Sequence, residues 1–215
     1  MRASFWFAFA DICHAQGVRD WRNDEWNRKA QAAYEAGLSK HGEEWMPPGY
    51  VRALYNLAQI HSSRGICLTD DQHLEQALPL YRAVVQLCSW GRDGWLFGYA
   101  NMMLGHTLRI LGEKETGTAR LEEALKAYSF AFSEVNQQRQ LDWYRSLLFG
   151  RAECLRLIGE RETGSARLQE AIPVYEVLLA LYDASTADLH RGTEEKLNQV
   201  RAAIRNRSAA STAGA

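Results

Sequence analysis

Six histidines, four cysteines and a repeated set of glutamates are the side chains here that could do chemistry. His14 and His61 stand 47 residues apart, and the equivalent positions later in the chain hold Leu108 and Leu155. A position that accepts Leu belongs to an apolar packing edge, so both histidines read as core-edge residues rather than metal ligands. Glu113, Glu115, Glu160 and Glu162 recur at the same interval. They could be imagined as paired carboxylates for general acid-base work. Lys114 and Arg161 stand beside them in loop-like sequence, which is the setting of solvated charge. Cys13, Cys67, Cys88 and Cys154 have neither CxxC pairing nor repeat-equivalent spacing. Neither a disulfide framework nor a zinc site is therefore expected, and the thiols read as reduced in a cytoplasmic protein. No HExxH, phosphate-loop glycine run or GxSxG occurs. The expectation is a protein that is not an enzyme, with no metal and no cofactor.

The elements that carry these residues repeat. Leu121-Glu122-Glu123-Ala124-Leu125-Lys126-Ala127-Tyr128 aligns with Leu168-Gln169-Glu170-Ala171-Ile172-Pro173-Val174-Tyr175 and with Leu74-Glu75-Gln76-Ala77-Leu78-Pro79-Leu80-Tyr81, each 47 residues apart. Ala30 and Tyr34 mark a fainter first copy. A fixed period of this size signals stacked units that bury apolar faces against their neighbours. Leu121, Ala124, Leu125, Tyr128, Ala131, Phe132 and Val135 recur at steps of three and four, as do Leu168, Ala171, Ile172, Tyr175, Leu178, Leu179 and Tyr182. Each is one stripe of an amphipathic helix. A preceding helix carries Phe97, Ala100, Leu104, Gly105, Leu108 and Leu111, so each unit reads as a helical hairpin.

Gly65, Gly112 and Gly159 occupy equivalent positions and are expected to end the first helices in a left-handed conformation. Asp24, Asp71, Thr118 and Ser165 are expected to cap the second helices. The fold class expected is all-α, an α-solenoid of about four hairpins over 3–40, 50–88, 97–135 and 144–182. A capping helix over 193–207, opened by Thr193, closes a single repeat domain spanning 1–207. The tail 208–215 lacks apolar residues and is expected to be disordered.

Lys plus Arg number 25 against 26 Asp plus Glu, so there is no overall field for nucleic acid or anionic lipid. Neither nucleic acid nor membrane is an expected partner. The apolar run Phe5 to Ala10 is short for an export signal and lies within the repeat register, so it reads as structure. Of seven tryptophans, Trp21 and Trp26 flank the first loop, and Trp45, Trp90, Trp95 and Trp143 stand near the links between hairpins. They read as inter-repeat packing, with an interface role as the alternative.

The small residues Ala58, Gly105 and Ala152, the later Ala77, Ala124 and Ala171, and the trailing Tyr81, Tyr128 and Tyr175 together resemble the tetratricopeptide repeat family over about 50–182. The loops LGEKETGTARLEEA and IGERETGSARLQEA are similar to those of its long-loop bacterial members. The 47-residue period exceeds the usual 34. HEAT-like repeats fit the length better and the residue pattern worse.

The resemblance implies that the first helices line a concave groove. Arg52, Tyr55, Gln59 and Ser62, then Tyr99, Met102, His106 and Arg109, then Ser146, Phe149, Glu153 and Arg156 would point into it. The carboxylate clamp of the family needs Lys at Tyr55, Met102 or Phe149 and Asn at Gln59, His106 or Glu153, and neither is present. Recognition of an acidic chaperone tail is thus not expected. The function implied is a scaffold binding a peptide or helix of another protein, alternatively a sensory domain of a larger enzyme or effector. The degenerate first unit also leaves an apolar end for self-association.

Overall fold

A computed structural model describes residues 3–20, 24–40, 49–89, 94–134 and 140–213. Among them every regular element is helical. These are α1 (Ala3–Arg19), α2 (Asp24–Leu38), α3 (Tyr50–Cys67), α4 (Asp71–Ser89), α5 (Gly94–Lys114), α6 (Ala119–Glu134), α7 (Leu141–Arg161), α8 (Ala166–Ala180) and α9 (Ala187–Ala213), with a 3-10 turn over Ala184–Thr186. Trp21, Trp45, Trp90 and Val135 lie outside the described residues. The chain divides into two compact units, 1–103 and 104–215, with the division inside α5.

In the first unit α1 lies against α2 and α3 against α4, while α2 meets α3 and α1 touches α3. Phe7, Ala10 and Cys13 of α1 pack with Ala30, Ala33 and Tyr34 of α2 and with Ala53, Leu57 and Ile60 of α3. Trp6 and Trp26 border that cluster, half-buried. Fully burying a large apolar side chain contributes about 1.5–3 kcal/mol, so this cluster accounts for much of the driving force. Ala10, Ala30, Ala58 and Ala77 are wholly buried. With no side chain beyond Cβ, they let the helix axes approach closely.

In the second unit α7 lies against both α6 and α8, and α9 lies against α8. Ala152 and Leu155 of α7, Leu168, Ala171 and Tyr175 of α8, and Leu197 and Val200 of α9 form one core. The tyrosine that trails each second helix, Tyr34, Tyr81, Tyr128 or Tyr175, is fully buried.

Gly65, Gly112 and Gly159 do not act as left-handed helix ends. Each lies inside the last turn of its first helix, and among the described residues the one glycine with positive φ is Gly49. Their reason is close approach. A Cβ at Gly65 would stand 2.6 Å from Leu74 Cγ, and one at Gly159 would stand 2.7 Å from Leu168 Cγ. The first turn of the second helix thus leans on bare backbone of the first.

The caps also differ in detail. Asp70 rather than Asp71 accepts the Gln72 N–H, at 2.9 Å. Ser165 stands at the cap position of α8, but its side chain accepts no capping bond. The terminal helix is longer than expected, because Asp183 and Thr186 form a capping box ahead of it and its helical backbone continues to Ala213. Thr193 is buried inside α9 rather than opening it. Residues 208–213 are helical, in keeping with the strong helix propensity of Ala209, Ala210 and Ala213. Arg161 is more than loop charge. Its guanidinium donates to the carbonyls of Gly112 (2.9 Å), Glu113 (3.0 Å) and Gly117 (2.6 Å), holding the preceding interhelical loop. Arg207 on α9 does the same for Glu160 and Gly164.

Candidate functional site

The first unit contains an open cleft of about 1440 Å³. Ser4, Phe7, Ala8, Asp11, His14 and Ala15 of α1 form one wall. The base is Gly49 with Tyr50, Val51, Arg52, Tyr55, Asn56 and Gln59 of α3, and Trp95, Leu96 and Tyr99 of α5 form the other wall. No second helix contributes. This follows from the stripes: the second helices are spent on packing, so the first helices keep one face for the core and one for the cleft.

The polar groups in the cleft are held in place. Tyr34 Oη donates to Asp11 Oδ1 at 2.5 Å, and Asn56 Nδ2 donates to the same oxygen at 3.1 Å and to Tyr34 Oη at 2.9 Å. Burial and the Asp11 carboxylate both push the Tyr34 phenol up, so it stays a donor. Gln59 Nε2 donates to Tyr55 Oη at 2.9 Å. Burial lowers the His14 imidazole against the opposing pull of Asp11 and Gln59, keeping it neutral at pH 7. On the facing wall the Trp95 and Tyr99 rings lie 4.6 Å apart at 46°. Tyr55 presents an edge to Tyr99 at 6.5 Å and to Tyr81 at 6.1 Å. Trp95 is 56% exposed and Arg52 is exposed, so an aromatic surface and a guanidinium face the open space.

Of the expected groove residues, the cleft brings together Arg52, Tyr55, Gln59 and Tyr99. Met102 is buried and Ser62 is in the core. His106, Arg109, Phe149, Glu153 and Arg156 lie in the second unit and have partners there. His106 Nδ1 is 3.0 Å from Tyr128 Oη and its Nε2 is 3.1 Å from Ser146 Oγ, so both ring nitrogens are hydrogen-bonded to hydroxyls. Burial, with Arg109 adding to it, pushes this imidazole down to about 4. Arg109 pairs with Glu113 at 3.4 Å.

Glu153 is almost fully enclosed. Burial alone would raise its carboxyl, but Arg156 (3.0 Å), Lys196 (2.7 Å) and the Tyr175 hydroxyl outweigh that and hold it down to about 2. Arg156 also pairs with Glu160 at 2.7 Å, and Lys196 of α9 lies 5.9 Å from the Phe149 ring. Of the expected groove positions of the fourth hairpin, Glu153 and Arg156 are therefore buried in an ion-pair network with Lys196 of α9, while Ser146 and Phe149 are half-buried.

Sequence reasoning missed Asp11, Asn56 and Trp95 as cleft residues and set His14 aside as a packing residue. Trp143 is buried, in line with the packing reading, whereas Trp95 is not. The four cysteines are free thiols, Cys67 exposed and the others buried. Among the described residues no three His, Cys, Asp or Glu side chains converge on a metal position, and no helix is long and apolar enough to cross a membrane. No protein-family model matches the chain, and no curated protein matches it.

Proposed function

We infer that the chain is a tetratricopeptide-like solenoid that acts as an interaction module without catalysis, and that the cleft of its first unit holds an extended or helical segment of another protein. The observation that carries this is the lining of the cleft by the first helices of three successive hairpins, α1, α3 and α5. Small-molecule pockets run to about 300–1,000 Å³ and enclose most of their ligand. This cleft is larger and open to solvent. Its lining groups are the kinds that anchor protein segments: the tilted Trp95 and Tyr99 rings give area, while exposed Arg52 and half-buried Asn56 and Gln59 give directional hydrogen bonds.

The test is selection of random peptides displayed on phage against the whole chain, followed by titration of a selected peptide into parent and variants. Arg52→Ala with Tyr99→Ala should lower affinity at least tenfold at unchanged circular dichroism. Equal affinity in that variant would move the site elsewhere.

One observation favours a second reading, self-association through the first hairpin. Phe5, Phe9 and Ile12 fall on one face of α1 and are 55%, 43% and 62% exposed. Contiguous exposed apolar surface of this kind marks interaction sites. Sedimentation over a concentration range decides it: a strict monomer excludes this reading, and a dimer lost in Phe9→Glu supports it.

A further inference from the structure

The second hairpin departs from a side-chain triad that the third and fourth hairpins share, as does the first, which carries His14, Trp26 and Lys29 at those positions. At repeat-equivalent positions the third carries Leu108, Arg120 and Glu123 and the fourth carries Leu155, Arg167 and Glu170. In the fourth, Arg167 and Glu170 form an ordinary surface ion pair at 3.2 Å. The second carries His61, His73 and Gln76 instead. An apolar residue and an ion pair have been exchanged for three side chains that all possess a metal-binding lone pair.

Their placement is specific. His61 Nδ1 and His73 Nδ1 are 3.3 Å apart, and His73 Nδ1 is 3.2 Å from Gln76 Oε1. Two ligands on a tetrahedral ion with bonds of about 2.0–2.1 Å stand roughly 3.3–3.4 Å from each other. These two separations, each centred on His73 Nδ1, match ligand spacing. The rings are tilted 42° with centroids 5.5 Å apart, so they do not stack face to face. His61 is buried in the last turns of α3, while His73 sits in the first turn of α4, nearer solvent. An ion could thus enter from the His73 side and leave one position for water.

We propose that His61, His73 and Gln76 form a binding site for a borderline divalent transition ion of the Zn2+, Co2+ or Ni2+ type, clipping the end of α3 to the start of α4. Imidazole nitrogen suits these ions, whereas Mg2+ and Ca2+ require oxygen ligands. Without metal, one Nδ1 carries a hydrogen and donates it to the other. On binding, that hydrogen moves to Nε2 of the same ring, so both Nδ1 lone pairs reach the ion with no net proton release. The nearby charges are Glu35, which favours a cation, and Arg64, which is itself paired with Asp24 at 3.2 Å and hydrogen-bonded to Gln31 at 2.8 Å.

The test uses the whole chain with Cys67 alkylated and Co2+ as the probe. The parent should bind one equivalent saturably, with the intense visible absorption of tetrahedral cobalt, and Zn2+ should displace it and raise the melting temperature. His61→Leu installs the residue of the third and fourth hairpins, and His73→Ala truncates a half-buried residue in the first turn of α4, so both should fold by circular dichroism. Each should lose at least tenfold in Co2+ affinity and lose the Zn2+ shift in melting. Absence of saturable binding in the parent, octahedral cobalt spectra only, or unchanged affinity in both variants would overturn the proposal.

Discussion

The first and fourth hairpins build the same local device and put it to opposite use. In both, the buried tyrosine of the second helix donates to a carboxylate of the first helix, Tyr34 to Asp11 and Tyr175 to Glu153. In both, the next helix in the chain supplies a further donor, Asn56 or Lys196. Asn56 is short and neutral, so Asp11 remains at the wall of an open cleft. Lys196 is long and charged, and with Arg156 it encloses Glu153 and covers Phe149. A repeat position is therefore a recognition surface or a closing contact according to the side chain that the following helix lays against it.

The comparison breaks first at the carboxylates. Glu153→Gln leaves Arg156 and Lys196 without their shared anion, and removing one partner of a buried pair costs about 3–5 kcal/mol. Asp11→Asn keeps an acceptor for Tyr34 beside open solvent and should cost about 1 kcal/mol or less. Urea unfolding of the two variants should show this order, and equal losses would mean that Asp11 is as enclosed as Glu153.

Next comes the close approach of the helices. Gly159→Ala places a Cβ 2.7 Å from Leu168 Cγ and should cost about 1–3 kcal/mol as overpacking. Gly164→Ala, five residues on, meets nothing within 4 Å and should stay within about 0.5 kcal/mol of the parent. A neutral Gly159→Ala would show that α7 and α8 are not in contact there.

Acid sharpens the contrast further. The Glu153 carboxyl is held down to about 2, against an unfolded value of about 4.3. Its contribution is present above the unfolded value and is lost as pH falls from there toward 2. The His106 imidazole is also depressed, to about 4 from an ordinary value of about 6.5. Below that ordinary value the unfolded chain takes up a proton that the folded chain refuses, so stability falls between about 6.5 and 4. Stability measured against pH should be flatter over that interval in His106→Gln than in the parent. An unchanged slope would mean that His106 titrates normally in the fold.

The helices, their pairing into hairpins and the buried tyrosines were legible in the sequence because a 47-residue period and a step of three and four are direct consequences of helix packing. The site was less so. Asp11 lies 23 residues before its tyrosine, whereas His106 and Glu153 lie 22 before theirs. A strict repeat register therefore passes over it. Gly65 and Gly159 were recognised as necessary for the wrong reason, since spacing alone does not separate a left-handed turn from a close contact. The capping helix on the last hairpin was expected, but no repeat copy foretells that its Lys196 pairs with Glu153.

Smallest in stability and largest in meaning is the change at the cleft itself. Arg52→Ala and Tyr99→Ala act on exposed or half-buried groups and should each leave stability within about 0.5–1 kcal/mol of the parent. The account turns on where a bound segment lies. Backbone amide shifts recorded by NMR during titration with a phage-selected peptide test this directly. Changes concentrated on 4–15, 49–59 and 95–99, and absent in the Arg52→Ala, Tyr99→Ala double variant, are the predicted result. Changes concentrated on α6, α8 or α9, with the cleft residues still, would contradict it.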